Sequence, residues 1–153
     1  MPTLSLSTNV PVDAVVASDI LKDCTRTVAK ILGKPESTAS LLSCLASYAQ
    51  LGSTKAWLNE FFGKPPSMPK CKVTQYVMIL INGGVPIAFG GSEEPAAYGE
   101  VISIGALGPS VNAKLSSALS EILEAKLSVE SSRFYIKFYD VQGSFFGFNG
   151  STF

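Results

Sequence analysis

The chain has 153 residues, of which 46% are hydrophobic and 16% charged, with 12 basic and 12 acidic side chains and no histidine. This length and composition predict one folded domain with a substantial core. The zero net charge argues against a nucleic-acid-binding protein. The absence of histidine excludes Ser-His-Asp and Cys-His catalysis as well as histidine metal sites.

The first part of the chain predicts a strand, a helix and a second strand. Leu4 and Leu6 alternate with polar residues, which indicates a half-buried strand. A helix follows and ends at Gly33, before Pro35. Its apolar stripe consists of Val16, Ile20, Cys24, Val28 and Ile31. The apolar run of residues 76–81 is typical of a strand covered on both faces.

The second part repeats this order. Residues 101–104 form a predicted strand, and Gly108-Pro109-Ser110 opens a helix. The apolar stripe of that helix consists of Val111, Leu115, Ala118, Leu119, Ile122 and Leu123. Residues 134–139 form the last predicted strand. The fold class is therefore α+β, with two βαβ repeats forming one sheet and both helices on one face. Two helices cannot cover all of Val101, Ile104, Phe134 and Ile136, so we expect contacts between copies to bury the rest.

Residues 38–75 interrupt this symmetry as an insertion in a single domain of residues 1–153. The insertion has a helical pattern of its own that includes Trp57 and Phe61, and it ends in a Pro-rich basic stretch. Three interpretations stay open: a surface excursion, a helix docked over a pocket or on a partner, and an insertion that disrupts assembly.

The chain shows no targeting or membrane-spanning pattern. Its start lacks a basic region and an apolar stretch, and its longest apolar run is too short to cross a bilayer. We expect a cytoplasmic protein that does not bind membranes, while secretion by a non-classical route stays open. The three cysteines contain no C-x-x-C, so we expect reduced, buried thiols, no metal site and no cofactor.

Without histidine, catalysis would depend on carboxylates, lysine, tyrosine or the amino terminus. Pro2 follows the initiator methionine, which is normally removed before a small residue and then leaves a secondary amine. An apolar pocket and a neighbouring cation lower the pKa of such an amine and make it a usable base. On its own, a Met-Pro start is a common feature and decides nothing.

Several motifs in fixed order are more specific. They are Pro2-Thr3-Leu4, Gly33-Lys34-Pro35, Ala88-Phe89-Gly90-Gly91, Ser103-Ile104-Gly105, Tyr135-Ile136-Lys137-Phe138-Tyr139-Asp140 and Gly147-Phe148-Asn149-Gly150-Ser151-Thr152-Phe153. In these motifs the chain resembles the macrophage migration inhibitory factor and D-dopachrome tautomerase family, most of all its plant branch. The resemblance covers residues 2–37 and 76–153. It implies a βαβ-βαβ protomer that assembles into a homotrimer with active sites between subunits.

The resemblance also implies a mechanism. Pro2 matches the proline that transfers a proton between the α-carbon and the oxygen of a small enolisable aromatic keto acid. Lys34 matches the lysine near that amine, and it also suits the last turn of a helix. Gly63-Lys64-Pro65 repeats the Gly33-Lys34-Pro35 pattern, so Lys64 is the minor alternative.

The remaining predicted site residues match the walls of the pocket. Ser103 and Ile104 match its backbone lining, and Tyr135 matches a tyrosine from the neighbouring subunit. Aromatic walls are implied at Phe146 and Phe148, and less strongly at Tyr76 and Phe153. For the aromatic residues, plain core or interface packing is an equally good interpretation.

Lys137 departs from the family pattern, since the vertebrate members place an asparagine there. A second cation would attract a substrate carboxylate and lower the pKa of Pro2 further, but it changes the pocket. Two functions follow. The first is a keto–enol tautomerase of the phenylpyruvate or dopachrome type. The second is a catalytically weak, trimeric, cytokine-like binding protein with a protein receptor as its partner.

Overall fold

The computed structural model describes residues 1–33 and 76–153. Four strands form the main sheet: β1 (Pro2–Thr8), β2 (Met78–Asn82), β3 (Ala97–Ser103) and β4 (Phe134–Asp140). Two long helices, α1 (Ala14–Leu32) and α2 (Pro109–Leu127), follow β1 and β3. A small hairpin of β5 (Gly147–Phe148) and β6 (Ser151–Thr152) follows β4. The predicted α+β class with two helices on one sheet is confirmed.

The strands are arranged in the order β2-β1-β3-β4. β1 is parallel to β2 and antiparallel to β3, and β3 is parallel to β4. The sheet is therefore mixed, with β1 and β3 in its centre and one parallel neighbour on the outer side of each. This is the arrangement expected of two βαβ units whose first strands meet side by side.

One face of the sheet packs against both helices. On β1, Leu4 and Leu6 are at most 1% exposed, as the predicted alternation requires. The helices contribute the apolar residues Ile20, Cys24, Val28, Leu32, Leu115, Leu119, Leu123 and Leu127. The opposite face carries the polar residues of β1 together with exposed large side chains of β2, β3 and β4. No described residue outside the sheet covers this second face, which we call the uncovered face.

Capping residues bound α1, and a proline opens α2. The Asp13 carboxylate accepts hydrogen bonds from the backbone N–H groups of Val15 (2.8 Å) and Val16 (2.9 Å) at the start of α1. Gly33 ends α1 in a left-handed conformation with φ of 32°. Pro109 occupies the first turn of α2, as predicted from its sequence.

Three of the four apolar residues that we expected two helices could not all cover contribute to the core. Val101 and Phe134 lie in the buried core, and Ile136 packs against that core. The register explains this, because Val101 pairs with the buried Leu4 and therefore points toward the helices. The uncovered face instead presents Met78 and other large residues, whose exposed fractions reach 66% at Tyr135.

The described residues do not cover both faces of residues 76–81, contrary to the prediction. β2 is an edge strand that begins at Met78, and Met78 is 57% exposed. Of residues 76–81, Val77, Ile79 and Ile81 pack against the core. The predicted insertion at residues 38–75 lies outside the described residues. Among the residues described, no helix combines the length and hydropathy needed to cross a membrane.

Cys24 of α1 is a core residue. Its side chain is fully buried, and this burial, followed by the nearby Asp23 charge, raises the pKa of the thiol from 9.0 to about 12. The prediction of a buried, reduced thiol is confirmed for Cys24. Cys44 and Cys71 lie outside the described residues.

We expect Cys24 to make the free energy of unfolding fall as the pH rises from 9.0 toward about 12, because the thiol ionises in the unfolded chain and stays protonated in the folded one. The slope is at most about 1.4 kcal/mol per pH unit. Urea unfolding of the unaltered protein and Cys24→Ala at several pH values measures it. The difference in free energy of unfolding between the unaltered protein and Cys24→Ala should become smaller as the pH rises. A difference that stays constant would contradict the raised pKa of Cys24.

Candidate functional site

Pro2 is the first residue of β1 and is held in the sheet. It is buried and pairs in register with Ser103, the last residue of β3. Met1 precedes it in the structure, so the Pro2 nitrogen is a peptide nitrogen there. Proline carries no backbone N–H, so it loses no donor at this position. Removal of Met1 would convert the same nitrogen into a secondary amine at the end of a fixed strand.

The turn after β3 is organised by side chains next to Pro2. The buried Ser103 hydroxyl donates a hydrogen bond to the Gly105 carbonyl at 2.9 Å. The Asp140 carboxylate, at the end of β4, accepts one from the Gly105 N–H at 2.7 Å. Gly105 and Ala106 both have positive φ values, 67° and 68°. Alanine rarely adopts this conformation, so these hydrogen bonds stabilise a turn that the chain would otherwise avoid.

The signal for this turn is weak in the sequence. Asp140 ends the motif that contains Tyr135 and Lys137, but its partner, Gly105, lies in the turn after a different strand, β3. Because β3 and β4 pair in parallel register, Ser103 lies opposite Asp140. This register could not be deduced from the sequence. Ile104 is half-buried in the same turn.

Three aromatic residues form what we call the C-terminal aromatic group: Tyr76, Phe148 and Phe153. The Phe148 ring lies 5.8 Å from Tyr76 in an edge-on arrangement and 5.5 Å from Phe153 in a stacked one. All three are about half exposed. The structure therefore brings together three of the four predicted aromatic wall residues outside β4.

The β5–β6 hairpin builds this group. Its two central residues, Asn149 and Gly150, have φ values of 52° and 78°, which an Asn-Gly turn of type I′ requires. Phe146, the fourth predicted wall residue, is half-buried, and its carbonyl accepts a hydrogen bond from the Phe153 N–H at 3.2 Å. The hairpin thus fixes the last residue of the chain beside the preceding aromatic residues.

The C-terminal aromatic group lies at the same end of the sheet as Pro2. Tyr76 lies just before β2, and Met78 of β2 pairs in parallel with Thr3 of β1. Parallel strands begin at the same end, so Tyr76 and Pro2 are on one side of the molecule. Ser103 and the turn that follows it lie there too, because β3 is antiparallel to β1.

Tyr135 and Lys137 are not part of this group within one chain. Tyr135 pairs with Tyr98, which pairs with Ser7 near the far end of β1. Ser7 lies five residues beyond Pro2, a separation of about 17 Å along a strand. Tyr135 and Lys137 are also exposed. Their side of the sheet is the uncovered face.

Lys137 lies in a polar cluster on that face. Its ammonium group is 4.5 Å from the centre of the Tyr139 ring. The hydrogen bond to Tyr139, followed by the electrostatic interaction with that side chain, raises the pKa of Lys137. The Tyr98 hydroxyl donates a hydrogen bond to Glu100 at 2.9 Å, and this bond raises the pKa of Tyr98.

The other predicted cation, Lys34, lies outside the described residues, as does its alternative, Lys64. Within residues 1–33 and 76–153, no group of three or more Cys, Asp or Glu side chains is placed to hold a metal ion. At the end of the sheet where Pro2 lies, the described residues bring together the start of β1, a hydrogen-bonded turn after β3 and the C-terminal aromatic group.

Comparisons with known proteins decide the family. A model of the family described as macrophage migration inhibitory factor matches residues 1–54 and 62–153. The chain belongs to the macrophage migration inhibitory factor family. A homologue of this factor from Trichuris trichiura is 33% identical over 153 residues, which cover 100% of both chains. A homologue from Brugia malayi is 34% identical over 153 residues, covering 100% of this chain and 99% of the relative.

Solved structures of the family have the same fold. The homologue from Prochlorococcus marinus has a TM-score of 0.70 at 29% identity, covering 99% of this chain and 98% of that one. The factor from Trichinella spiralis has a TM-score of 0.67 at 30% identity, with 99% of each chain covered. The expected closeness to the plant branch of the family finds no support in these relatives.

We expect Asp140→Ala to speed hydrogen exchange at the Gly105 amide by about tenfold or more, because a hydrogen bond to a charged acceptor contributes about 1.5–3 kcal/mol. Asp140→Asn keeps a neutral acceptor and should give a smaller increase. Exchange followed by NMR measures both. Asp19→Ala, which removes an exposed carboxylate from α1, is the matched control. Equal Gly105 exchange rates in all four proteins would contradict this role of Asp140.

Proposed function

We propose that this chain, after removal of Met1, is a keto–enol tautomerase with Pro2 as its base. The substrate would be a small enolisable aromatic keto acid of the phenylpyruvate or dopachrome type. The observation that carries the proposal is the position of Pro2: it begins a central strand, in register with Ser103, at the end of the sheet where the C-terminal aromatic group lies. Membership of the macrophage migration inhibitory factor family supports it.

The proposed reaction is a proton transfer without net oxidation. The Pro2 amine takes the proton from the enol oxygen and returns it to the α-carbon, or carries out the reverse sequence. Between the two steps the substrate is an enolate, whose negative charge a nearby cation stabilises. Lys34 is the proposed cation; its charge would lower the pKa of the Pro2 amine and attract the substrate carboxylate.

The C-terminal aromatic group suits the other half of such a substrate. The rings of Phe148 and Phe153 are stacked, and their exposed surfaces can pack against a flat aromatic ring. The backbone of Ser103 and Ile104 is the proposed floor of the pocket. This division places the keto acid at the strand end and the aromatic ring toward the hairpin.

We further propose that the site is completed in a homotrimer. Tyr135 lies toward the far end of the uncovered face, about 17 Å along the sheet from the level of Pro2. Lys137 lies at the level of Ser5, about 10 Å along the sheet from Pro2. Neither residue lies beside the amine of its own chain, and we propose that a neighbouring copy brings them there. Lys137 would then add a second cation for the substrate carboxylate, and Tyr135 would close the pocket opposite the C-terminal aromatic group.

One observation favours the alternative, a catalytically weak trimeric binding protein. The cation at Lys137 is already engaged with Tyr139, and both side chains belong to a broad uncovered face that also carries the Tyr98–Glu100 pair. A face with these groups suits association with a protein as well as the closing of a pocket. The presence or absence of turnover distinguishes the two functions.

We expect Pro2→Gly to lower kcat/KM for the enol of phenylpyruvate by about a hundredfold or more, the usual contribution of a positioned base. Glycine leaves a primary amine in place of the secondary one and removes no backbone donor. Absorbance at the enol band measures turnover, and mass spectrometry establishes that Met1 is absent from both proteins. Circular dichroism should show an unchanged fold.

The lysine variants serve as matched controls in the same assay. Lys34→Ala should lower kcat/KM, and Lys64→Ala should leave it unchanged; the opposite result would exchange their roles. Full activity of Pro2→Gly would contradict the proposed base. A processed, folded protein without turnover would contradict the tautomerase and favour the binding protein.

A further inference from the structure

We propose that Arg133 and Phe89 are positioning residues for Tyr135. Through them the loop of residues 87–96 holds the Tyr135 ring in the orientation that receives the aromatic part of the substrate. This inference rests on the proposed tautomerase, in which Tyr135 closes the pocket of a neighbouring copy. It concerns two residues that contribute no group to the proton transfer itself.

Arg133 is anchored to the loop by its whole guanidinium group. Its side chain is only 15% exposed and donates hydrogen bonds to three backbone carbonyls: Pro95 at 2.9 Å, Glu94 at 3.0 Å and Ser92 at 3.2 Å. The Glu94 carboxylate, at 3.9 Å, is largely exposed, so that ion pair adds little. A planar fork of N–H donors can satisfy several carbonyls at once, which a lysine cannot.

The loop is also held from the opposite side. The Asn9 side chain donates to the carbonyls of Ile87, Glu93 and Glu94 and accepts a hydrogen bond from the Ala96 N–H at 2.9 Å. Within the loop, Phe89 and Ser92 exchange two backbone hydrogen bonds of 2.9 and 3.1 Å across a tight Gly90-Gly91 turn. The position of Phe89 is thereby fixed relative to the sheet.

Ring contacts connect the Arg133 guanidinium to Tyr135 through Phe89. The Arg133 guanidinium carbon lies 5.4 Å from the centre of the Phe89 ring. The Phe89 ring lies 4.9 Å from the Tyr135 ring, tilted by 58°. Tyr135 is 66% exposed and points away from the helices, so its ring needs lateral support to keep one rotamer. Phe89 gives that support.

The support matters for binding because an ordered ring costs less entropy when the substrate packs on it. Loss of Phe89 should therefore raise KM for an aromatic substrate and leave kcat nearly unchanged, since the Pro2 amine is not touched. For pyruvate enol, which has no aromatic ring, KM should not change. A merely structural defect would affect both substrates alike.

A double-mutant cycle in the full-length, processed protein tests this. Phe89→Leu should raise KM for phenylpyruvate enol by about two- to tenfold, the range expected for one aromatic pair. In a Tyr135→Ala background, the same change should have no further effect, because its target is gone. Arg133→Lys should also raise KM for phenylpyruvate enol. Phe145→Leu, a change at a side chain that is 79% exposed, is the matched control.

The outcomes distinguish failure of the positioning role from failure of the proposed tautomerase. Additive effects of Phe89→Leu and Tyr135→Ala, or an equal rise in KM for pyruvate enol, would overturn the positioning role while the tautomerase stands. An unchanged KM for phenylpyruvate enol in Arg133→Lys would show that Arg133 does not position Tyr135. Absence of turnover in the unaltered, processed protein would contradict the tautomerase and, with it, this role.

Discussion

The structure depends on the position of β1 in the middle of the sheet. This strand is paired along its length with β2 on one side and β3 on the other, and Leu4 and Leu6 are buried beneath the two helices. A shift of one residue in register would turn both leucines to the uncovered face. At about 1.5–3 kcal/mol for each buried leucine, such a shift is strongly disfavoured. The same pairing therefore holds Pro2 opposite Ser103.

This constraint gives the proposed chemistry a fixed frame. Proton transfer requires the base to stay within hydrogen-bond distance of the reacting atoms, which a frayed chain terminus cannot provide. In the proposed trimer, two neighbouring copies contribute different residues to each site. One copy supplies Pro2 and the C-terminal aromatic group, and its neighbour supplies Tyr135 and Lys137 from the uncovered face. Arg133 and Phe89 would hold Tyr135 of the neighbouring copy in place, as the sheet pairing holds Pro2.

The sequence was informative where a pattern is local. Period-two alternation and helical spacing predicted the βαβ order and the buried face of β1, and the resemblance predicted the family. The sequence did not predict that Val101 and Phe134 face the helices, because the direction of a side chain depends on strand register, which no local pattern encodes. Arg133 gave no signal, since its partners are backbone carbonyls about forty residues earlier in the chain. The roles of Lys34 and of residues 38–75 stay predictions.

The central claim is that a free Pro2 amine is the base. The most direct test converts that amine into an amide and changes no other group of the protein. An alanine inserted between Met1 and Pro2 leaves, after processing, a chain in which the Pro2 nitrogen is an amide and every side chain is retained. We predict that tautomerase turnover of phenylpyruvate enol falls by at least about a hundredfold relative to the processed protein, with fold and oligomeric state unchanged. Equal turnover by the two proteins would contradict the account.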